Sequence, residues 1–136
     1  MKDIVSRIRK ELKENSDEKT RESAERFFKE KIKTYGLKSS LVRKIGEKYF
    51  REIRQLNKNE IFELCEKLWQ SGYLEESGIA CIWSYDLRKK YEPEDFTVFE
   101  RWVFNYVSNW ASCDTLCNHT IGEFIVKFPE YISYLK

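Results

Sequence analysis

Apolar residues return at helical spacing along almost the whole chain. Ile4, Ile8 and Leu12, with Val5 beside them, form an i, i+4 stripe that predicts a first helix with one buried face. Ala24, Phe27, Phe28, Ile32 and Tyr35 predict a second. It is entered through Asn15-Ser16, with Asp17 and Glu18 in a first turn where the helix dipole favours acids, and Gly36 ends it. Ser39-Ser40 are placed to cap a third helix carrying Leu41, Val42, Ile45, Tyr49 and Phe50. Asn57-Lys58-Asn59-Glu60 reads as a capping box that starts a fourth, with Ile61, Leu64, Cys65 and Leu68 inside and Gly72 closing it. A fifth spans roughly residues 75–90, with Ile79, Ala80, Ile82, Trp83 and Leu87 apolar. Pro93 fits the first turn of a sixth carrying Phe96, Phe99, Trp102, Val103 and Tyr106. A seventh covers roughly residues 110–127, and Pro129 opens a last short one. No stretch alternates polar and apolar residues in the manner of a strand. The pattern therefore predicts an all-α chain of about seven or eight helices.

The helices also repeat. Glu30-Lys31-Ile32 followed by Gly36 recurs as Glu66-Lys67-Leu68 followed by Gly72, an offset of 36 residues. Phe96, Phe99 and Val103 echo Ile61, Leu64 and Leu68 at an offset of 35. This is the period of stacked helical hairpins, in which each pair buries a face against the next. A solenoid of helix pairs fits it better than a compact bundle.

Charge sharpens the picture. Residues 1–68 hold 19 Lys and Arg against 13 Asp and Glu, a net of +6, while residues 69–136 hold 6 against 10, a net of −4. A basic half beside an acidic, aromatic half points to a polyanionic partner, although long helical surfaces decorated with lysine and glutamate give the same count. No run of 18 apolar residues exists, so no membrane span is expected. The N-terminus lacks the continuous apolar core of a secretion signal, so a cytoplasmic protein with reduced thiols at Cys65, Cys81, Cys113 and Cys117 is expected. With five glycines and two prolines and no linker-like stretch, residues 1–136 are expected to form one all-helical domain.

The segment Asn105–Phe124 holds the chemistry. On a helix, Trp110, Asp114, Cys117 and Ile121 share one face, and Asp114 is the only charge on it. Asp114 has two readings. It caps a helix and satisfies free backbone N–H groups, or with the Trp110 indole it receives a planar cation, attracted by the ring face and stabilised by the carboxylate. Cys113-x3-Cys117-x-His119 has zinc-binding residue types, but a structural site needs four ligands and Cys65 and Cys81 sit in other helices, so no metal is expected. His119 is the only histidine. There is neither a GxSxG elbow nor a Gly-rich phosphate loop, which removes support for serine hydrolase and nucleotide-dependent transfer chemistry.

The segment NWASCDTLCNHTIGEFIVKFPEYIS resembles the alkylated-base excision motif of the AlkD-type DNA alkylation repair glycosylases, in which a tryptophan stands four residues before an aspartate and a lysine-x-proline-glutamate run follows. Here these are Trp110, Asp114 and Lys127-Phe128-Pro129-Glu130. LCEKLWQSGYLEESGIACIWSYDLRKKY is similar to the helical hairpin that leads into that family's catalytic layer. The resemblance covers essentially the whole chain. It implies a HEAT-like helical-repeat superhelix with a basic concave face for duplex DNA containing alkylated bases. The activity it implies is hydrolysis of the N-glycosidic bond of cationic purines such as 3-methyladenine and 7-methylguanine, with no metal or other cofactor. Asp114 would be the catalytic carboxylate and Trp110 the aromatic wall beside the lesion nucleotide. Lys38, Arg43 and Lys44, near a predicted helix start, are the candidate phosphate contacts.

The chain departs from the family pattern at Ala111, where a second acid is common, and at Cys113, where valine is usual. Relatives continue for roughly three more repeats, so the chain corresponds to the family's N-terminal part, and its last repeat is expected to take a cap or to self-associate. The alternative is a non-catalytic helical-repeat scaffold that binds nucleic acid or protein, with Asp114 as a helix cap.

Overall fold

A computed structural model describes residues 3–27, 33–106 and 121–130. The fold is all-α and consistent with a helical repeat. In chain order the described helices are α1 (Asp3–Glu14), α2 (Glu18–Phe27), α3 (Ser39–Ile53), α4 (Lys58–Gln70), α5 (Leu74–Asp86), a 3-10 turn at Arg88–Lys90, α6 (Asp95–Asn105) and α7 (Gly122–Lys127). The only bridge of β type among the described residues is the isolated pair Lys33 and Tyr73.

Most of the predicted stripes form buried faces. Ile4, Val5, Ile8 and Leu12 of α1 are buried, as are Val42, Ile45 and Tyr49 of α3 and Ile61, Leu64, Cys65 and Leu68 of α4. The capping box forms: the Glu60 N–H donates to Asn57 Oδ1 at 2.9 Å, and the Asn57 N–H to Glu60 Oε1 at 3.3 Å. Asp17 caps α2, accepting from the Thr20 N–H at 2.9 Å and from its hydroxyl at 2.7 Å. Two glycines take the left-handed region: Gly72, at φ 77°, just after the end of α4, and Gly36, at φ 84°, within the loop before α3 and not at the helix end expected of it.

Several boundaries differ from the sequence reading: Asp17 caps α2 instead of lying in its first turn, and Pro93 lies in the turn before α6 instead of in its first turn. Lys38, not a serine, is the N-cap of α3, no side chain caps it, and Ser39 and Ser40 lie in its exposed first turn. The chain from Lys33 to Lys38 is not helical, so Tyr35 leaves the predicted second stripe and is buried within a loop. The reason is Glu75, whose carboxylate accepts the N–H groups of Tyr35, Gly36 and Leu37 and the Thr34 hydroxyl, which holds those backbone groups away from helical pairing. The predicted fifth helix breaks at Leu87 into the 3-10 turn.

The offset between residues 61–68 and 96–103 reappears as stacking, while Glu30-Lys31-Ile32 lie outside the described residues. α3 packs on α5, α4 lies against α5, and α1 leans on both α3 and α4. The Trp83 indole of α5 donates to the Gly46 carbonyl of α3 at 2.8 Å, 37 residues away. From α6, Arg101 and Trp102 bond Glu66 of α4 at separations of 35 and 36 residues. Phe62, Trp69, Phe99 and Trp102 interlock between α4 and α6, and Phe124 of α7 closes against Tyr91 and Phe99. No described helix is long and apolar enough to cross a membrane.

Candidate nucleic-acid interface

The candidate surface is built on α3, whose inner face is anchored twice. Towards α5, Gly46 has no side chain, so Ile79 and Ile82 pack over its backbone. Towards α1, Glu11 accepts from Lys48 at 2.7 Å and from the Tyr49 hydroxyl at 2.8 Å, and Arg7 pairs with both oxygens of Glu52 at 2.8 and 3.0 Å. The Lys48 hydrogen bond outweighs partial burial and holds Glu11 below the usual carboxylate range. The loop leading into α3 is fixed by Glu75. Beside it, Glu76 accepts from Arg9 at 2.9 Å and from the Tyr35 hydroxyl at 2.7 Å, which ties α1 to α5. Burial, followed by the Glu76 acceptor, raises the Tyr35 phenol.

With its inner face fixed, α3 turns Ser40, Arg43, Lys44, Glu47 and Arg51 outward, all exposed. Arg43 lies 3.9 Å from Glu47, with both side chains largely exposed, so this pair adds little stability. Lys38, Lys44 and Arg51 have no ion-pair partner within 4 Å among the described residues. The opposite row differs: α4 and α6 expose Glu60, Glu63 and Glu100. There Glu66 takes Arg101 at 2.6 Å, the Trp102 indole at 3.1 Å and the Tyr106 hydroxyl at 2.9 Å. Burial alone would raise the Glu66 carboxyl, but these donors lower it. The exposed surface of α3 is therefore basic and that of α4 acidic, although both helices lie largely within the basic half of the sequence.

A cleft of about 570 Å³ opens beside this surface between the first turns of α3 and α5. Leu37, Val42, Leu74, Gly78, Cys81 and Ile82 line it, with Ser39, Ser40 and Arg43 at its edge. At the far end of α5, burial and the nearby Glu47 raise the Asp86 carboxyl, while Arg88 and Arg43 oppose the shift. Cys65 and Cys81 are buried thiols, and burial pushes the Cys65 thiol well above its ordinary value, which leaves it unreactive.

Of the sequence candidates, Lys38 stands at the N-cap of α3, and Arg43 and Lys44 follow on its exposed side. Trp110 and Asp114, and likewise Cys113, Cys117 and His119, lie outside the described residues. Sequence reasoning missed Arg51, although its position seven residues after Lys44 puts both on one helical face. It also missed Glu75 and Glu76, which read as ordinary first-turn acids of a helix start.

A model of the DNA alkylation repair enzyme family matches residues 8–136, nearly the whole chain. The chain belongs to that family. Membership in the DNA alkylation repair enzyme family points to a role in DNA repair with DNA as partner, and the uncommitted cations of α3 suit a phosphate backbone. No curated protein and no solved structure is significantly similar to the chain.

Proposed function

We propose that this member of the DNA alkylation repair enzyme family binds duplex DNA across α3 and hydrolyses the N-glycosidic bond of cationic alkylated purines. The observation that supports the reading best is the outer surface of α3, where Lys38, Lys44 and Arg51 have no ion-pair partner among the described residues while α4 and α6 expose acids. Such cations replace the counterions of a sugar-phosphate backbone without reading its sequence. A repair enzyme that must meet its lesion in any context needs that kind of contact.

In this reading Asp114 and Trp110 carry the chemistry. A 3-methyladenine or 7-methylguanine base is already positively charged and leaves as a neutral molecule, so strong acid catalysis is unnecessary. As the C1′–N bond breaks, positive charge passes to the sugar, and one ionised carboxylate stabilises it. A water oxygen then bonds C1′, and its proton is released towards the same carboxylate. The indole excludes solvent and turns its negative face towards the cation. In residue count, Trp110 and Asp114 stand 36 positions after Leu74 and Gly78, the interval at which the described elements stack.

The test is incubation of the chain with methylated duplex DNA and chromatography of the released bases. Time-dependent release of 7-methylguanine or 3-methyladenine is expected. Tight binding with no release would replace this reading with that of a helical-repeat scaffold.

A further inference from the structure

The loop that leads into α3 is held by one carboxylate. Glu75, in the first turn of α5, is buried. Its Oε2 accepts from the Gly36 N–H at 3.1 Å, the Leu37 N–H at 3.2 Å and the Thr34 hydroxyl at 2.6 Å, and its Oε1 accepts from the Tyr35 N–H at 3.0 Å. No Lys or Arg among the described residues pairs with it. Three consecutive N–H groups aimed at one group form an anion-binding nest, and here the chain fills the nest with its own acid.

The loop is fastened on both flanks as well. The Lys33 carbonyl accepts the Leu74 N–H at 2.8 Å, and the Lys33 ammonium donates to the Ser71 carbonyl at 2.8 Å. The Tyr35 ring stacks on Tyr73 with centroids 4.1 Å apart. On the other side, the Asp17 N–H donates to the Gly36 carbonyl at 3.0 Å. Leu37 is buried, and the next residue, Lys38, is exposed, its carbonyl opening α3 by accepting from Leu41 and Val42. Stability alone does not call for this arrangement. Water or a further helical turn would satisfy the same N–H groups without burying a charge. What the carboxylate adds is a fixed position of the loop relative to α5, ending one residue before Lys38.

We infer that Glu75 is a positioning residue for DNA binding: without touching DNA, it fixes the entry of α3 so that Lys38 is held out to a backbone phosphate. The inference rests on the reading of α3 as a DNA-binding surface and deepens it. A lysine on a loose loop is ordered only as it binds, and the freedom it then loses is subtracted from affinity; here the backbone is ordered beforehand. Because Glu75 occupies the N–H groups of residues 35–37, the loop meets phosphate through the Lys38 side chain and not through its backbone.

Fluorescence anisotropy over a salt series, with the full chain and a paired duplex, tests this through a double-mutant cycle. In wild type, Lys38→Gln should lower the slope of log affinity against log salt by about 1. In Glu75→Gln, where an amide nitrogen replaces one acceptor oxygen, adding Lys38→Gln should change the slope by less than about 0.3. Arg51→Gln should still lower it by about 1 in that background. A protein that is merely less stable keeps the Lys38 effect whole, because a smaller folded fraction weakens binding equally at every salt concentration. Thr34→Val removes one donor from the same carboxylate and is the milder variant. It should reduce the Lys38 effect to about half, and it carries the test if Glu75→Gln does not fold. A full Lys38 effect in either background would overturn the positioning role. So would a wild-type slope that Lys38→Gln leaves unchanged while Arg51→Gln lowers it, an outcome that leaves DNA binding by α3 standing. No binding of the duplex by wild type would overturn the DNA-binding reading together with the inference.

Discussion

The Trp83 indole, in the last turn of α5, donates its N–H to the Gly46 carbonyl of α3 at 2.8 Å, where Gly46 lets the two helices approach. Trp83 is fully buried, so this bond satisfies a donor that would otherwise be orphaned while the ring fills the space between helices. Trp83→Phe removes both the bond and part of the volume. A loss of about 2 kcal/mol is expected, read from the urea midpoint at an unchanged m-value.

The two left-handed glycines separate backbone strain from steric clash. At Gly72 an added Cβ would meet only the Lys33 side chain, at 3.7 Å or more, so Gly72→Ala carries the conformational cost alone, about 1 kcal/mol. At Gly36 the same atom would lie 2.5 Å from the Asp17 carbonyl oxygen and 2.7 Å from Arg21 Cβ. Gly36→Ala must therefore displace the start of α2 and should cost at least about 2 kcal/mol more. Thermal unfolding of the two variants side by side checks the order. A milder effect at Gly36 than at Gly72 would contradict this packing.

Glu66 gives stability a dependence on acid. Burial acts to raise its carboxyl, but Arg101, Trp102 and Tyr106 together hold it below its ordinary value of 4.5. A carboxylate whose value is lower in the folded chain stabilises fully above the unfolded value, and that contribution is lost as pH falls through the folded value. Glu66→Gln should cost about 1–3 kcal/mol at pH 7. The gap to wild type should narrow as pH falls below about 4.5, because wild type loses the same charge. Urea titrations at pH 7 and pH 3.5 measure it.

DNA affinity should follow the surface on which a charge sits. Lys44→Gln and Arg51→Gln should each lower the slope of log affinity against log salt by about 1. Lys67→Gln, on the acidic face of α4, should leave the slope unchanged. Fluorescence anisotropy over a salt series distinguishes the three. Equal effects from all three would mean that DNA does not favour the α3 surface.

The fold was legible where one helix decides its own burial. The stripes of α1 and α4, the Asn57–Glu60 capping box and the 36-residue repeat all follow from spacing, because local periodicity and capping chemistry need no distant partner. The reading failed at Tyr35. There a carboxylate forty residues away, Glu75, takes the backbone N–H groups that a helix would have used, and no local pattern announces it. Lys38 and Lys44 were readable as basic residues near a helix start. The partner of Arg43 and the availability of Arg51 depended on which α3 face α1 and α5 leave open.

Release of 7-methylguanine from methylated duplex DNA, by the wild-type chain and by Asp114→Asn at equal DNA occupancy, tests the central claim most directly. The substitution keeps shape and removes the charge proposed to stabilise the sugar cation, so release should fall at least about 100-fold while DNA binding is retained. Release by Asp114→Asn at the wild-type rate would contradict the account.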